Sequence, residues 1–292
     1  MKRQNGFEIC FEIERRLRNK IPTSLIRLGD GEGAVMGYPD VTNIHDLNRS
    51  LRNWFGQTDY DVSHISSFTE QLRNAVRQAD IVGIPRAKQV ASHHLYRAVM
   101  ESISKFNLLS ASCIYTDAAI HRLLQFSLLY RRILQNRDFL GIITPRDIGS
   151  KLKDFFNIQH VESYPVKGQF KWPGEVTERH FPEGYERLKE TLRVPYQGAL
   201  FFVGAGALGK VYCTWIKQQG GVAIDIGAIF DAWSGVKSRL VHPCHSFDVY
   251  SDFPTITAEK AMQRYNLLCE NFELDTPRIT ADNATLMVPA QW

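Results

Sequence analysis

Apolar positions recur along this chain in two registers. Short apolar runs occupy 24–28 (SLIRL), 80–84 (DIVGI), 111–115 (ASCIY), 139–143 (FLGII), 158–163 (IQHVES), 199–203 (ALFFV) and 222–226 (VAIDI). Between them, apolar residues fall at three- and four-residue spacing over 66–79, 87–105, 117–136, 147–156, 183–193 and 206–219. Strand-like runs alternating with helix-like stretches predict βαβ units. The expected fold class is therefore α/β, a mostly parallel Rossmann-like sheet whose right-handed crossovers put helices on both faces.

Other stretches refine this picture. The pattern at 117–136 is strongly apolar, but Arg122, Arg131 and Arg132 interrupt it, so it reads as a core-packing helix. The first twenty residues mix apolar and charged side chains at helical spacing and lack the unbroken apolar core of a signal peptide. No run approaches the ~18 uninterrupted apolar residues of a membrane span. A cytoplasmic location is expected, with peripheral membrane association and oligomeric state left open. No repeat or Gly/Ser linker divides residues 1–292, so one α/β domain is expected, with a tail from about 272 of unclear role. The segment 164–182 is the least regular and reads either as a lid or acceptor-binding loop or as a surface connection.

Composition changes little. Hydrophobic residues make up 44% and charged residues 23%, ordinary for a globular chain. A net charge of +4 is too small to make nucleic acid the expected partner. The five cysteines form no CxxC pair, which argues for a reducing compartment and against a disulfide framework or structural zinc.

Ligands of open α/β sheets lie beyond the carboxyl ends of the strands, and those ends are unusually polar here. The first strand runs into Gly29-Asp30-Gly31-Glu32-Gly33, the second into Pro85-Arg86, the third into Thr116-Asp117 and the fourth into Thr144-Pro145-Arg146. Further on come Gly204-Ala205-Gly206 and Asp225-Ile226-Gly227. This inventory suits a phosphorylated ligand with a divalent cation. In an extended segment Asp30 and Glu32 would project to one side and face the same ion. Mg²⁺ or Mn²⁺ would take carboxylate oxygens and share the rest with a diphosphate. The plainer alternative is a polar turn in which Asp30 caps a helix starting near Gly33.

Val203-Gly-Ala-Gly-Ala-Leu-Gly209-Lys210 is a GxGxxG pattern between an apolar run and a helix, where backbone N–H groups can meet phosphate. Asp225 stands 21 residues beyond Gly204, near the ribose-binding acid of a dinucleotide site. An NAD(P)- or flavin-dependent oxidoreductase is thus one alternative. Against it stand the late position of the motif and the lysine after its third glycine. A tight turn with close helix–strand packing is the bland reading. His93-His94 and His242-Pro-Cys-His245 lack companions at zinc spacing and read as surface or packing residues. Phe170, Trp172 and Phe181 could stack on a sugar or simply pack.

Ile26-Arg-Leu-Gly-Asp-Gly-Glu32 resembles the Arg-x-Gly-Asp-Gly-Glu segment of the GT-D-type glycosyltransferases. Residues 200–235, with their glycine-rich turn, helix, Asp-Ile-Gly strand end and following acid, are similar to that family's other hallmark block, and Thr144-Pro-Arg146 falls plausibly between the two. The chain departs from the family pattern at Gly33, where a larger apolar residue is common, and in its C-terminal tail. The resemblance implies a metal-dependent glycosyltransferase of bacterial surface polysaccharide or glycoprotein assembly, moving a sugar from a UDP-sugar to a glycan or glycoprotein acceptor. By the same resemblance, Asp30 and Glu32 hold Mn²⁺ or Mg²⁺ and the donor diphosphate. Arg27, Gly29, Gly31, Arg146, Gly204, Gly206, Gly209, Lys210 and Asp225 complete the donor site. Glu32 or Asp231 is the catalytic candidate for deprotonating the acceptor. A non-catalytic nucleotide-sugar-binding module is the remaining alternative.

Overall fold

The computed structural model describes residues 3–56, 60–126, 129–236, 238 and 266. The first half runs α1 (Gly6–Arg18), β1 (Thr23–Arg27), α2 (Asp30–Gly37), α3 (Ile44–Phe55), α4 (Val62–Gln78), β2 (Ile81–Ile84), α5 (Ala87–Ser92), α6 (His94–Lys105) and β3 (Ile114–Asp117). The second half runs α7 (Ile120–Phe126), α8 (Leu129–Leu134), β4 (Phe139–Thr144), α9 (Gly149–Phe156) and β5 (His160–Pro165). A π-helical turn (His180–Gly184), α10 (Tyr185–Thr191), β6 (Leu200–Val203), α11 (Leu208–Gln218), β7 (Val222–Asp225) and α12 (Ile229–Trp233) follow.

All seven strands join one parallel sheet in the order β3-β2-β1-β7-β6-β4-β5. Successive strand residues point to opposite faces, and each face has its own core. Leu25, Phe202 and Ile224 pack with α1, α7, α8 and α12 on one side, around Trp233 and Tyr130. Ile26, Phe201 and Ala223 pack with α2, α3, α4, α6 and α11 on the other. Because the central strands are buried on both faces, they read as continuous apolar runs rather than as alternation.

The topology positions the site. β1, β7 and β6 are neighbours at the centre of the sheet although β1 lies far from the others in sequence. Their carboxyl ends carry the Gly29–Glu32 segment, Asp225 and the Gly204–Gly206 turn, so the two motif blocks meet at one crevice.

Local structure departs from the sequence reading in identifiable places. The stretch 87–105 breaks at His93, whose Nδ1 accepts from the Leu95 N–H to start α6. The 117–136 pattern yields two helices, α7 and α8, and α12 adds a short helix that the periodicity did not single out. α3 was not anticipated. It starts at Asn43, whose side chain accepts from the N–H groups of His45 and Asp46, and stops at Gly56 in the left-handed region. The Asp30–Gly37 segment is helical, not extended, and packs against α6 and α4. Gly33 departs from the family pattern for a steric reason: a Cβ there would run into the Leu95 carbonyl oxygen of α6 and reach within 3.0 Å of Val99.

Gly33→Ala is therefore expected to destabilise the protein by about 1–3 kcal/mol, because helix backbone on the far side cannot yield as a side chain could. Urea unfolding measures it; an unchanged midpoint would mean that α2 and α6 separate freely.

Candidate active site

The centre of the crevice is a buried quartet of charges. Arg27, at the end of β1, donates from Nη2 to Asp225 Oδ1 at 3.1 Å and from Nε to the Asp225 carbonyl at 3.0 Å. Lys210, on the first turn of α11, puts its ammonium 3.0 Å from Asp225 Oδ2 and 2.7 Å from Glu32 Oε1. Its third donor reaches the Gly206 carbonyl at 3.1 Å. Glu32 closes the arrangement by accepting the Gly29 N–H on Oε2 at 2.9 Å. Burial alone pushes the Lys210 pKa down, but Asp225 and Glu32 outweigh it and hold the ammonium above the usual lysine value. Burial likewise works to raise Asp225, and Arg27 with Lys210 reverses it, holding the carboxyl below the ordinary range. Two cations and two anions, drawn from β1, α2, α11 and β7, thus neutralise one another.

The glycines around the quartet answer to packing. Gly31 and Gly206 both face the Trp54 indole from α3; a Cβ on Gly31 would enter the ring, and one on Gly206 would come within 3.3 Å of it. Gly206 also has φ +58°, the left-handed conformation that glycine adopts without strain. A Cβ at Gly204 would meet the Phe230 ring at 2.5 Å and the Gly227 carbonyl at 2.8 Å. At Gly209 it would meet Val203 at 3.1 Å. Gly227, at φ +53°, leaves room for the Arg27 guanidinium.

Above this floor opens a cavity of about 770 Å³, within the size range of small-molecule sites. Eight arginine and lysine side chains line it against four carboxylates, an excess as large as the net +4 of the whole chain. Three of the four carboxylates are matched: Glu32 by Lys210, Asp225 by Arg27 and Lys210, and Asp231 by Arg146 Nε at 2.7 Å. The fourth, Asp30, is exposed and makes no ion pair among the described residues; its Oδ1 accepts the Gly31 N–H at 3.0 Å.

The irregular segment after β5 forms one wall, through Lys167, Gln169, Lys171 and Trp172. Arg146 fastens it, donating to the carbonyls of Pro173 at 3.1 Å and Trp172 at 2.9 Å. Asp231 in turn accepts from Ser238. Trp172 is 37% exposed and Phe170 62%, whereas Phe181 is buried among Phe55, Tyr60, Phe68 and Tyr185 and is no sugar platform. His180 lies at the cavity's inner edge, buried, with Nε2 3.1 Å from the Tyr212 hydroxyl; burial drives its pKa down to about 3.

The GT-D-like family, described as a GT-D fold-like domain, matches residues 5–233. The chain belongs to that family. Three solved structures are also similar. One, described as a new glycosyltransferase (DUF1792) from Streptococcus sanguinis, is 18% identical over 76% of this chain and 82% of its own, with a TM-score of 0.49. A selenomethionine-substituted structure of domain of unknown function 1792 is 17% identical over 77% and 79%, with a TM-score of 0.47. The third, described as showing that the same domain has a distinct glycosyltransferase fold, is 16% identical over 77% and 79%, also with a TM-score of 0.47. No curated protein matches the chain.

Within this GT-D-like domain, every residue expected at the site except Gly209, which packs against Val203, lines the crevice, but several have other partners than expected. On a helix, Asp30 and Glu32 stand about 200° apart, so they do not share one face. Both line the cavity, but Glu32 is committed to Lys210, whereas Asp30 is exposed there. Helix capping falls to Glu32, not Asp30. Among the described residues no three His, Cys, Asp or Glu side chains gather as a metal-binding set. Asp30 and Glu32, the carboxylate pair expected to hold Mn²⁺ or Mg²⁺, do not converge on one point in this arrangement. Asp225 is 2% exposed with both oxygens in ion pairs, so it is turned to Arg27 and Lys210 rather than out to a cofactor ribose. His93 and His94 stack on each other, and His94 Nε2 lies 3.0 Å from Asp46. His242, His245 and the tail from 272 lie outside the described residues. Among the described residues no helix is long and apolar enough to cross a membrane. Sequence reasoning missed Trp54 and the wall cations Arg49, Lys167 and Lys171, among other lining residues.

Two stability experiments test this arrangement. Lys210→Met leaves Glu32 and Asp225 buried with only Arg27 to balance them, and breaking a buried pair costs about 3–5 kcal/mol; a loss below 1 kcal/mol in chemical denaturation would mean that water reaches the quartet. His180, neutral in the fold, contributes stability that is complete above its unfolded pKa near 6.5 and is lost as pH falls toward about 3. Wild type should lose about 2 kcal/mol more than His180→Gln between pH 7 and 5. Equal losses would show that the folded imidazole takes up the proton.

Proposed function

We propose that this domain is a glycosyltransferase that binds a nucleotide sugar, a UDP-sugar, in the cationic cavity and transfers the sugar to a glycan or glycoprotein acceptor. The observation that carries the reading is the cavity's excess of four positive charges, set over a neutral floor at the carboxyl ends of β1, β7 and β6. Such a lining attracts and holds an anion such as a diphosphate. Family membership supports sugar transfer as the chemistry.

In the reaction an acceptor hydroxyl oxygen bonds to the anomeric carbon, and the bond from that carbon to the diphosphate oxygen breaks. The nucleoside diphosphate leaves with the electron pair, and the cationic walls stabilise the charge that develops on it. The hydroxyl proton needs an acceptor. Glu32 and Asp231, the two candidates from sequence, are both engaged by cations. Asp30 is exposed at the cavity and meets no cation among the described residues, so it is the better base. Trp54 and Trp172 supply aromatic surface for the base or sugar rings. The fixed ion pairs of Asp225 count against the oxidoreductase alternative.

Calorimetric titration with UDP and UDP-sugars, paired with a transfer assay, tests the proposal. Wild type should bind UDP. Asp30→Asn should bind it comparably while losing about 10²–10⁴-fold in transfer rate, the range of general base catalysis. Binding of NADH or NADPH with failure of every nucleoside diphosphate would sink the donor reading. Full transfer by Asp30→Asn would remove Asp30 as the base.

A further inference from the structure

Whether a divalent cation helps hold the donor is decided by what the carboxylates of the floor already do. Glu32 Oε1 and Asp225 Oδ2 both face the Lys210 ammonium, at 2.7 and 3.0 Å. The remaining oxygen of Glu32 takes the Gly29 N–H at 2.9 Å, and that of Asp225 takes Arg27 Nη2 at 3.1 Å. Each of the four carboxylate oxygens thus faces a cation or an N–H donor, although Asp225 Oδ2 meets the ammonium as an ion pair without a hydrogen bond. Lys210 is equally committed, since an ammonium has three donors and the third goes to the Gly206 carbonyl at 3.1 Å. A metal ion could use this pair only by expelling a buried ammonium from two carboxylates, with no gain in balance, because the quartet is already neutral.

We infer that this chain binds its nucleoside diphosphate without a divalent cation, Lys210 holding the place between Glu32 and Asp225 that a metal would need. The inference rests on the donor reading above. Two further observations point the same way. Asp30, the remaining carboxylate of the motif, stands on another side of α2 from Glu32, so the two do not converge on one ion. The lining also carries four more cations than anions, so the diphosphate meets the charge it needs from side chains, while an incoming M²⁺ meets repulsion. In this arrangement the lysine after the third glycine orders the floor, and the arginines and lysines of the walls neutralise the ligand.

The test is calorimetric titration of UDP into the full chain purified through EDTA, run once in EDTA and once in millimolar Mn²⁺. The dissociation constants should agree within fivefold. Binding that is absent in EDTA and present with Mn²⁺, or that tightens fivefold or more, would overturn metal independence and leave the donor reading standing. Failure to bind UDP in both arms would instead overturn the donor reading, and this inference with it. Mn²⁺ alone, followed by its free-ion paramagnetic resonance signal, gives a readout independent of nucleotide. The signal should be undiminished by stoichiometric protein, and its loss would reveal a resident metal site that the inference forbids.

Discussion

Four charges that share almost no water organise this molecule. Arg27, Glu32, Lys210 and Asp225 come from four different elements, and each alone would cost several kcal/mol to bury. Together they are neutral, and nearly every donor and acceptor is used. The arrangement sets the height of α11 against β7 and the rotation of α2 about its axis, because a one-residue slip in either helix would strand a charge. It also dictates residue type nearby. Gly227 is a left-handed glycine because the Arg27 guanidinium occupies the space of its side chain, and Gly206 offers its carbonyl to the lysine. The two sequence blocks that carry the family resemblance are, physically, the two halves of this one cluster.

The fold was largely legible because of how it is buried. Central strands covered on both faces leave apolar runs that need no knowledge of their neighbours, and all seven runs overlap strands, including the largely exposed edge strand β5. α2 was opaque for the opposite reason. Its sequence, DGEGAVMG, contains three glycines, and each weakens a helix by about 1 kcal/mol relative to alanine. Helicity there comes from packing against α6 and α4, a tertiary effect that local propensity does not carry. α3 did leave a trace: Asn43 as cap, apolar residues at 44, 47, 51 and 54–55, and Gly56 as stop. Its polar residues at 48–50 and 52–53 mask a stripe that is only half covered.

The site was legible in its location but not in its pairings. Carboxylates and glycines at strand ends mark an edge of the sheet, and that edge is where the cavity lies. Which cation answers which carboxylate depends on how α11 sits against α2, and spacing along the chain does not encode that. Lys210 illustrates the gap. In sequence it is an anomaly after a dinucleotide-like turn; in the fold it bridges the acid of one block to the acid of the other. Trp54 has no polar signature at all, and its place between Gly31 and Gly206 follows only from the packing of α3.

Neutrality of the floor separates two jobs that are often merged in a binding site. Fold stability at the crevice depends on Arg27, Glu32, Lys210 and Asp225, whose charges are spent on one another. Under the proposed donor reading, charge recognition falls to the walls, where Arg49, Lys167 and Lys171 stand on more exposed elements. Arg146 joins the two regimes. It is anchored by Asp231 on α12 and reaches across to the Trp172 and Pro173 carbonyls, tying the irregular wall to the sheet. The wall can therefore vary in sequence, and with it the ligand it favours, without disturbing the quartet below. A change in the quartet acts first on the fold, and only through the fold on binding.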